Sequence, residues 1–110
     1  MKAKIKQSDN AAIQAKQQRR ANRLNSIKNG IEAGAMKEWE QMFAIISETS
    51  MSNELGISFY AFKKKCKDPS DFTIKEIMRL AVLIGVKYDT MHGFLMQMVK
   101  AKSKSRIFRD

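Results

Sequence analysis

The sequence predicts an all-α fold, a five-helix bundle preceded by a basic N-terminal arm of helix-forming composition. Three observations carry that expectation. Strand signals are almost absent from the 110 residues, apolar side chains recur at three- and four-residue spacing, and the single proline, Pro69, leaves helix formation nearly uninterrupted. A chain of this length is one domain's worth, large enough for a modest core and too short for two. The expected division is a basic arm over 1–34, a folded domain over 35–100 and a basic tail over 101–110.

Residues 10–28 are rich in Ala, Gln, Arg and Lys, and Leu24, Ile27 and Ile31 follow at helical intervals, so part of the arm is expected to be helical. Asn29-Gly30 reads as a turn or C-cap and Gly34 as a second weak point, which places the arm–domain boundary here. From about Ala35, Trp39, Met42, Phe43 and Ile46 form one apolar stripe, the first core helix. Ser47 offers an N-cap, with Ser50 three residues on, to a short second helix in which Met51 and Leu55 turn inward. Gly56 suits a left-handed turn, Ser58 caps a third helix from Phe59, and Lys67-Asp68-Pro69-Ser70 ends it. Thr73 with Glu76 spells a capping box for a fourth helix with Ile74, Ile77, Leu80, Ala81 and Ile84 inward, closed by Gly85. Asp89 or Thr90 is expected to cap a fifth, on which Met91, Phe94, Leu95, Met98 and Val99 share a face.

The net charge of +10 is unevenly placed. Residues 1–35 carry eight Lys/Arg against Asp9 and Glu32, residues 36–99 carry eight against eight, and residues 100–110 carry five against Asp110. The excess is therefore in the arms. Within the neutral middle, Lys63, Lys64, Lys65 and Lys67 fall together while Glu38, Glu40, Glu48 and Glu54 precede them. Basic arms around a polarised centre favour a polyanionic partner, because each cation near a phosphate releases condensed counterions.

Several function classes fall away. No apolar run approaches the roughly 18 residues of a membrane span. The lysines at 2, 4 and 6 lead into polar residues rather than a secretory signal, and Cys66 alone cannot form an internal disulfide, so a cytoplasmic protein is expected. Catalysis is not expected either. His92 and Cys66 are single, and no carboxylate cluster, glycine-rich phosphate loop or metal-ligand spacing accompanies them. No cofactor, metal or small-molecule substrate is implied.

The informative segment is Ser47 to Asp68. A short helix, a glycine turn and a second helix are how a helix-turn-helix presents one helix to a duplex. Met51, Leu55, Ile57, Phe62 and Cys66 form its inward set, and Ser52 is small where the helices approach. Phe59, Tyr60, Lys63, Lys64 and Lys67 are then left on the outer face.

The run Glu54-Leu55-Gly56-Ile57-Ser58, then Phe62, then the segment from Thr73 to Val86 with its Leu80-Ala81 and Gly85-Val86, resembles the phage repressor and Cro-like (Xre-type) helix-turn-helix family over about residues 37–99. The resemblance implies a lambda-repressor-like five-helix domain, usually dimeric on a palindromic operator. It also implies that Phe59, Tyr60 and Lys64 match positions that reach base edges and that Ser58 matches a phosphate contact. This chain departs from the family at Glu48, where a phosphate-contacting Gln is common, and at Lys65, where an apolar residue is usual and Cys66 is expected to take over the core contact.

Lys64 has the reach for guanine O6/N7, Tyr60 for a base or phosphate, and Phe59 for a thymine methyl unless it packs on Ile57 or Phe62. Lys63 and Lys67 suit phosphates. Lys16, Arg19, Arg20 and Arg23 would either follow the DNA backbone or an adjacent minor groove, or serve only as solubilising charge. Met91, Met96 and Met98 enrich the fifth helix with flexible apolar surface, either as ordinary core filling or as the homodimer seam that the resemblance implies, in which case substituting Met96 or Met98 by Glu should break self-association. The leading expectation is a sequence-specific double-stranded DNA-binding regulator of phage or mobile-element type. The alternative is a nucleoprotein, virion or protein-interaction module that binds nucleic acid without sequence preference.

Overall fold

A computed structural model of the chain describes the backbone of residues 2–109 and the side chains of residues 10–101. The cations at 2, 4 and 6, and those of the tail beyond 101, have side chains outside the described residues. The backbone is all helical: α1 (Lys2–Glu32), α2 (Trp39–Phe43), α3 (Glu48–Leu55), α4 (Phe59–Lys67), a 3-10 turn at Pro69–Asp71, α5 (Ile74–Ile84) and α6 (Tyr88–Arg109). No helix among the described residues is long and apolar enough to cross a membrane.

Helix α1 is the arm, and its two halves differ. Residues 10–23 are exposed throughout, whereas Leu24 is half-buried and Ile27 and Ile31 are buried in the core. The core therefore reaches back across the expected boundary at 34/35, because an apolar stripe at three- and four-residue spacing is there to be covered. The expected break at Asn29-Gly30 does not occur. Helix α1 continues to Glu32, and Gly34, at φ +73°, takes the left-handed conformation instead. Gly30 serves close approach: its carbonyl accepts from both the Ala35 and Met36 N–H at 2.9 Å, and a Cβ there would meet Met36 Cβ at 3.3 Å.

The first core helix is shorter than its stripe suggested. Helix α2 stops at Phe43, and Ile46, although buried, lies in the turn that follows, with its N–H on the Met42 carbonyl at 2.9 Å. Trp39 sits at the centre of an aromatic cluster, its ring centroid 5.7 to 5.9 Å from Phe43, Phe62, Phe72 and Phe94. Such ring pairs contribute about 0.5–1.5 kcal/mol each beyond area burial.

Ser47, Ser58 and Thr73 cap α3, α4 and α5, each accepting from the backbone N–H three residues on. Gly56 (φ +70°) and Gly85 (φ +88°) close α3 and α5 in the left-handed conformation. Gly56→Ala is expected to lower stability by about 1–2 kcal/mol, since a Cβ is disfavoured at that φ. Urea denaturation checks it, and no shift in midpoint would show that the turn relaxes.

One inward assignment and one helix start change. Ile74 is 69% exposed, because α5 buries the face through Ile77, Leu80, Ala81 and Ile84 while Ile74 aligns at four-residue spacing with the exposed Met78 and Val82. Helix α6 begins at Tyr88 rather than after an Asp89 or Thr90 cap. The Met91 N–H reaches the Lys87 carbonyl, and the Tyr88 ring stacks on His92 one turn later. On α6, Met91, Phe94 and Leu95 are buried, and Met98 and Val99 half-buried.

Candidate nucleic-acid interface

Helices α3 and α4 are joined by Gly56, Ile57 and Ser58 alone. The turn is fastened by the Gly56 N–H on the Asn53 carbonyl and the Ile57 N–H on the Ser52 carbonyl, both 3.1 Å. Ser52 is 1% exposed, as close approach of the helices requires, and its hydroxyl donates to the Thr49 carbonyl at 2.9 Å. Arg79, from α5, donates to the Leu55 carbonyl at 3.1 Å, placing a cation at the carbonyl end of α3, where the helix dipole favours it.

Helix α4 is nine residues long, too short to be helical alone, so packing must hold it. Phe62 is its one buried residue, against Trp39, Phe43 and Phe72, while Cys66 and Ile57 are half-buried beside the core. Lys65 also turns inward. Its ammonium donates to both carboxylate oxygens of buried Glu76 at 2.5 Å, and Glu76 also accepts from the Thr73 N–H at 2.9 Å in the capping box. Burial by itself raises the Glu76 carboxyl. The Lys65 hydrogen bond, the Thr73 backbone bond and the Lys65 charge outweigh it and hold the pKa below its ordinary value. The core contact expected of Cys66 is thus shared with Lys65, which turns inward through its ion pair with Glu76.

With Phe62 and Lys65 inward, Tyr60 is left 84% exposed, Phe59 38% exposed, and Lys63, Lys64 and Lys67 exposed with them. Among the described residues the Phe59 ring makes no ring contact with Phe62. It meets Tyr60 edge-on at 6.2 Å, and the Lys63 ammonium lies 5.7 Å from its centroid. Ser58 Oγ accepts from the Ala61 N–H at 3.1 Å, which leaves its hydroxyl hydrogen to donate.

Arg19, Arg20 and Arg23 come together elsewhere, with Lys16, along a groove between α1 and α3 that no α4 residue lines. Arg20 is bonded there to Glu54. Sequence reasoning missed the Lys65–Glu76 pair and the Arg79 contact, which span 11 and 24 residues and leave no local pattern. It also missed the exposed stripe on α5, where Ile74, Met78 and Val82 are 69%, 53% and 82% exposed. Their i, i+4, i+8 spacing is the signal that was available.

The fold and this surface define an all-α protein that carries a short, exposed, aromatic and cationic helix on a buried aromatic anchor. Comparison with protein-family models, with curated proteins and with solved structures finds no match.

Proposed function

We propose that the chain binds double-stranded DNA by a helix-turn-helix, α3 to α4, with α4 as the recognition helix of a sequence-specific regulator of phage or mobile-element type. The observation that carries this reading is that Phe59, Tyr60, Lys63, Lys64 and Lys67 stand exposed together on one helix whose opposite side is pinned by Phe62 and Lys65. Lys64 and Tyr60 supply hydrogen bonds to base edges, Phe59 an apolar contact, and Ser58, Lys63 and Lys67 bonds to phosphates. Selection from random duplexes, followed by salt titration, tests it. A regulator prefers one sequence over random DNA by roughly 10³ or more, and a preference below about tenfold would leave only the non-specific nucleoprotein role.

The two kinds of contact separate by mutation. Lys64→Ala is expected to weaken the selected site by about 1–3 kcal/mol and relax the preference at one position. Lys63→Ala and Lys67→Ala should weaken all sequences alike and each lower the salt slope by about 0.9. Anisotropy titrations at several salt concentrations read both, and a uniform loss for Lys64→Ala would remove its base-reading role.

Self-association completes this reading, with α6 as its seam. Among the described residues of α6, Met96, 36% exposed, supports this seam, while Met98 is half-buried against the core, so Met98→Glu is expected to cost stability as well as any self-association. Met96→Glu is expected to halve the mass seen by light scattering. A mass unchanged by Met96→Glu but halved by Met78→Asp/Val82→Asp would move the seam to the exposed stripe of α5.

A further inference from the structure

The cations of α1 at 16, 19, 20 and 23 fall at i, i+3, i+4 and i+7, one face of a helix. That face does not simply look into solvent. It borders a groove of about 460 Å³ between α1, α3 and the end of α5, whose far wall carries Ser50, Asn53 and Glu54. Like charges at three- and four-residue spacing destabilise a helix, so their convergence on one groove calls for a counter-charge. Among the described residues Glu54 is the only carboxylate lining the groove, and it is bonded to Arg20. Lys16, Arg19 and Arg23 form no ion pair among the described residues, and the Asn53 side chain makes no hydrogen bond among them.

We propose that this groove is an anion site that seats a run of vicinal phosphates, with Arg19 and Arg23 as its guanidinium clamps and Lys16 and Asn53 as flanking donors. Guanidinium groups match phosphate oxygens in a bidentate fork, and an ammonium adds a point charge. Three uncompensated cations suit a polyphosphate better than a single phosphate. The volume lies within the usual range of ligand sites. Two sources share this chemistry, a free di- or triphosphate and consecutive phosphates of a nucleic-acid strand. The site stands whether or not α4 reads DNA, since no residue of α4 lines it.

Calorimetric titration of the full chain with inorganic tripolyphosphate tests the proposal. One saturable site is expected, weakened about tenfold or more by Arg19→Gln/Arg23→Gln and changed by less than about twofold by Lys63→Ala/Lys67→Ala. Glu54→Gln, which releases Arg20 into the groove, should tighten binding. The substituted arginines are exposed, and circular dichroism verifies that the variants remain folded. Absence of tripolyphosphate binding, binding that survives Arg19→Gln/Arg23→Gln, or an equal loss in the α4 variant overturns the proposal. A second arm titrates duplex and single-stranded DNA against Arg19→Gln/Arg23→Gln. A parallel loss for every sequence identifies a nucleic-acid strand as the occupant, and unchanged DNA affinity beside lost tripolyphosphate binding identifies a free polyphosphate. Failure of the α4 reading would show separately, as absence of sequence preference in the unsubstituted chain.

Discussion

Phe62→Ala is expected to destabilise the protein by about 3–5 kcal/mol, the range for removing a fully buried aromatic side chain. The ring is 0% exposed and centred 5.9 Å from both Trp39 and Phe43 and 6.3 Å from Phe72, so truncation opens a cavity walled by rigid rings that cannot collapse into it. Single domains of this size are stable by only about 5–15 kcal/mol, so the loss is a large share of the whole. Phe62→Leu, which keeps most of the volume, should cost far less, about 1–1.5 kcal/mol. Urea denaturation of the three proteins gives the comparison. A loss below about 1 kcal/mol for Phe62→Ala would mean that α4 is held by something other than its anchor. The functional consequence follows from the same geometry, because Phe59, Tyr60 and Lys64 face outward only while Phe62 faces in. Near the midpoint of Phe62→Ala unfolding, any DNA affinity carried by α4 should fall with the folded fraction.

The parts of this architecture that were legible beforehand rest on local chemistry. The Ser47, Ser58 and Thr73 caps, the left-handed Gly56 and Gly85, and the stop before Pro69 all involve residues within four positions of one another, so the limits of α3, α4 and α5 could be read from neighbours. The start of α6 differs because Asp89 and Thr90 are good caps by type, whereas the helix already begins at Tyr88, with the Met91 N–H on the Lys87 carbonyl and Tyr88 stacked on His92. Asn29-Gly30 misled for a related reason. Glycine by type signals conformational freedom, whereas its role at 30 is to let the returning chain at Met36 approach.

The outward face of α4 followed from placing Phe62 inward, which needs only helical periodicity. What lies beneath it did not. Glu76 is half of a capping box, as the local pattern spells, but a carboxylate with two oxygens has capacity left over, and Lys65 uses it from 11 positions away. The α1 cations were legible as charge and illegible as a groove, because their partner wall on α3 is set by the burial of Ile27 and Ile31.

That leftover capacity gives the other large expected effect. Glu76→Ala leaves the Lys65 ammonium half-buried without its anion and the Thr73 N–H without its acceptor. Removing one partner of a buried pair costs about 3–5 kcal/mol, and with a fifth of the Lys65 side chain still in contact with water the loss should lie at the lower end, about 3 kcal/mol. Lys65→Met/Glu76→Gln keeps the capping-box acceptor and the shape while removing both charges, and should lie within about 1 kcal/mol of the unsubstituted protein. The pH dependence has a definite sign. The Glu76 pKa is held below its ordinary value, so the folded state binds this proton less readily than the unfolded chain. Its contribution is full above the unfolded carboxylate pKa of about 4.3 and disappears as pH falls through the lower folded value. The stability gap between unsubstituted protein and Glu76→Gln should therefore narrow on acidification below about pH 4, and a gap independent of pH would mean that the pair contributes nothing as an ion pair. Because Lys65 and Glu76 join α4 to α5, their loss also frees α4 to roll about Phe62. On the proposed reading, Glu76→Ala should then weaken any duplex binding carried by α4 more than its unfolded fraction explains, whereas Lys65→Met/Glu76→Gln, with the contact surface refilled, should largely restore it.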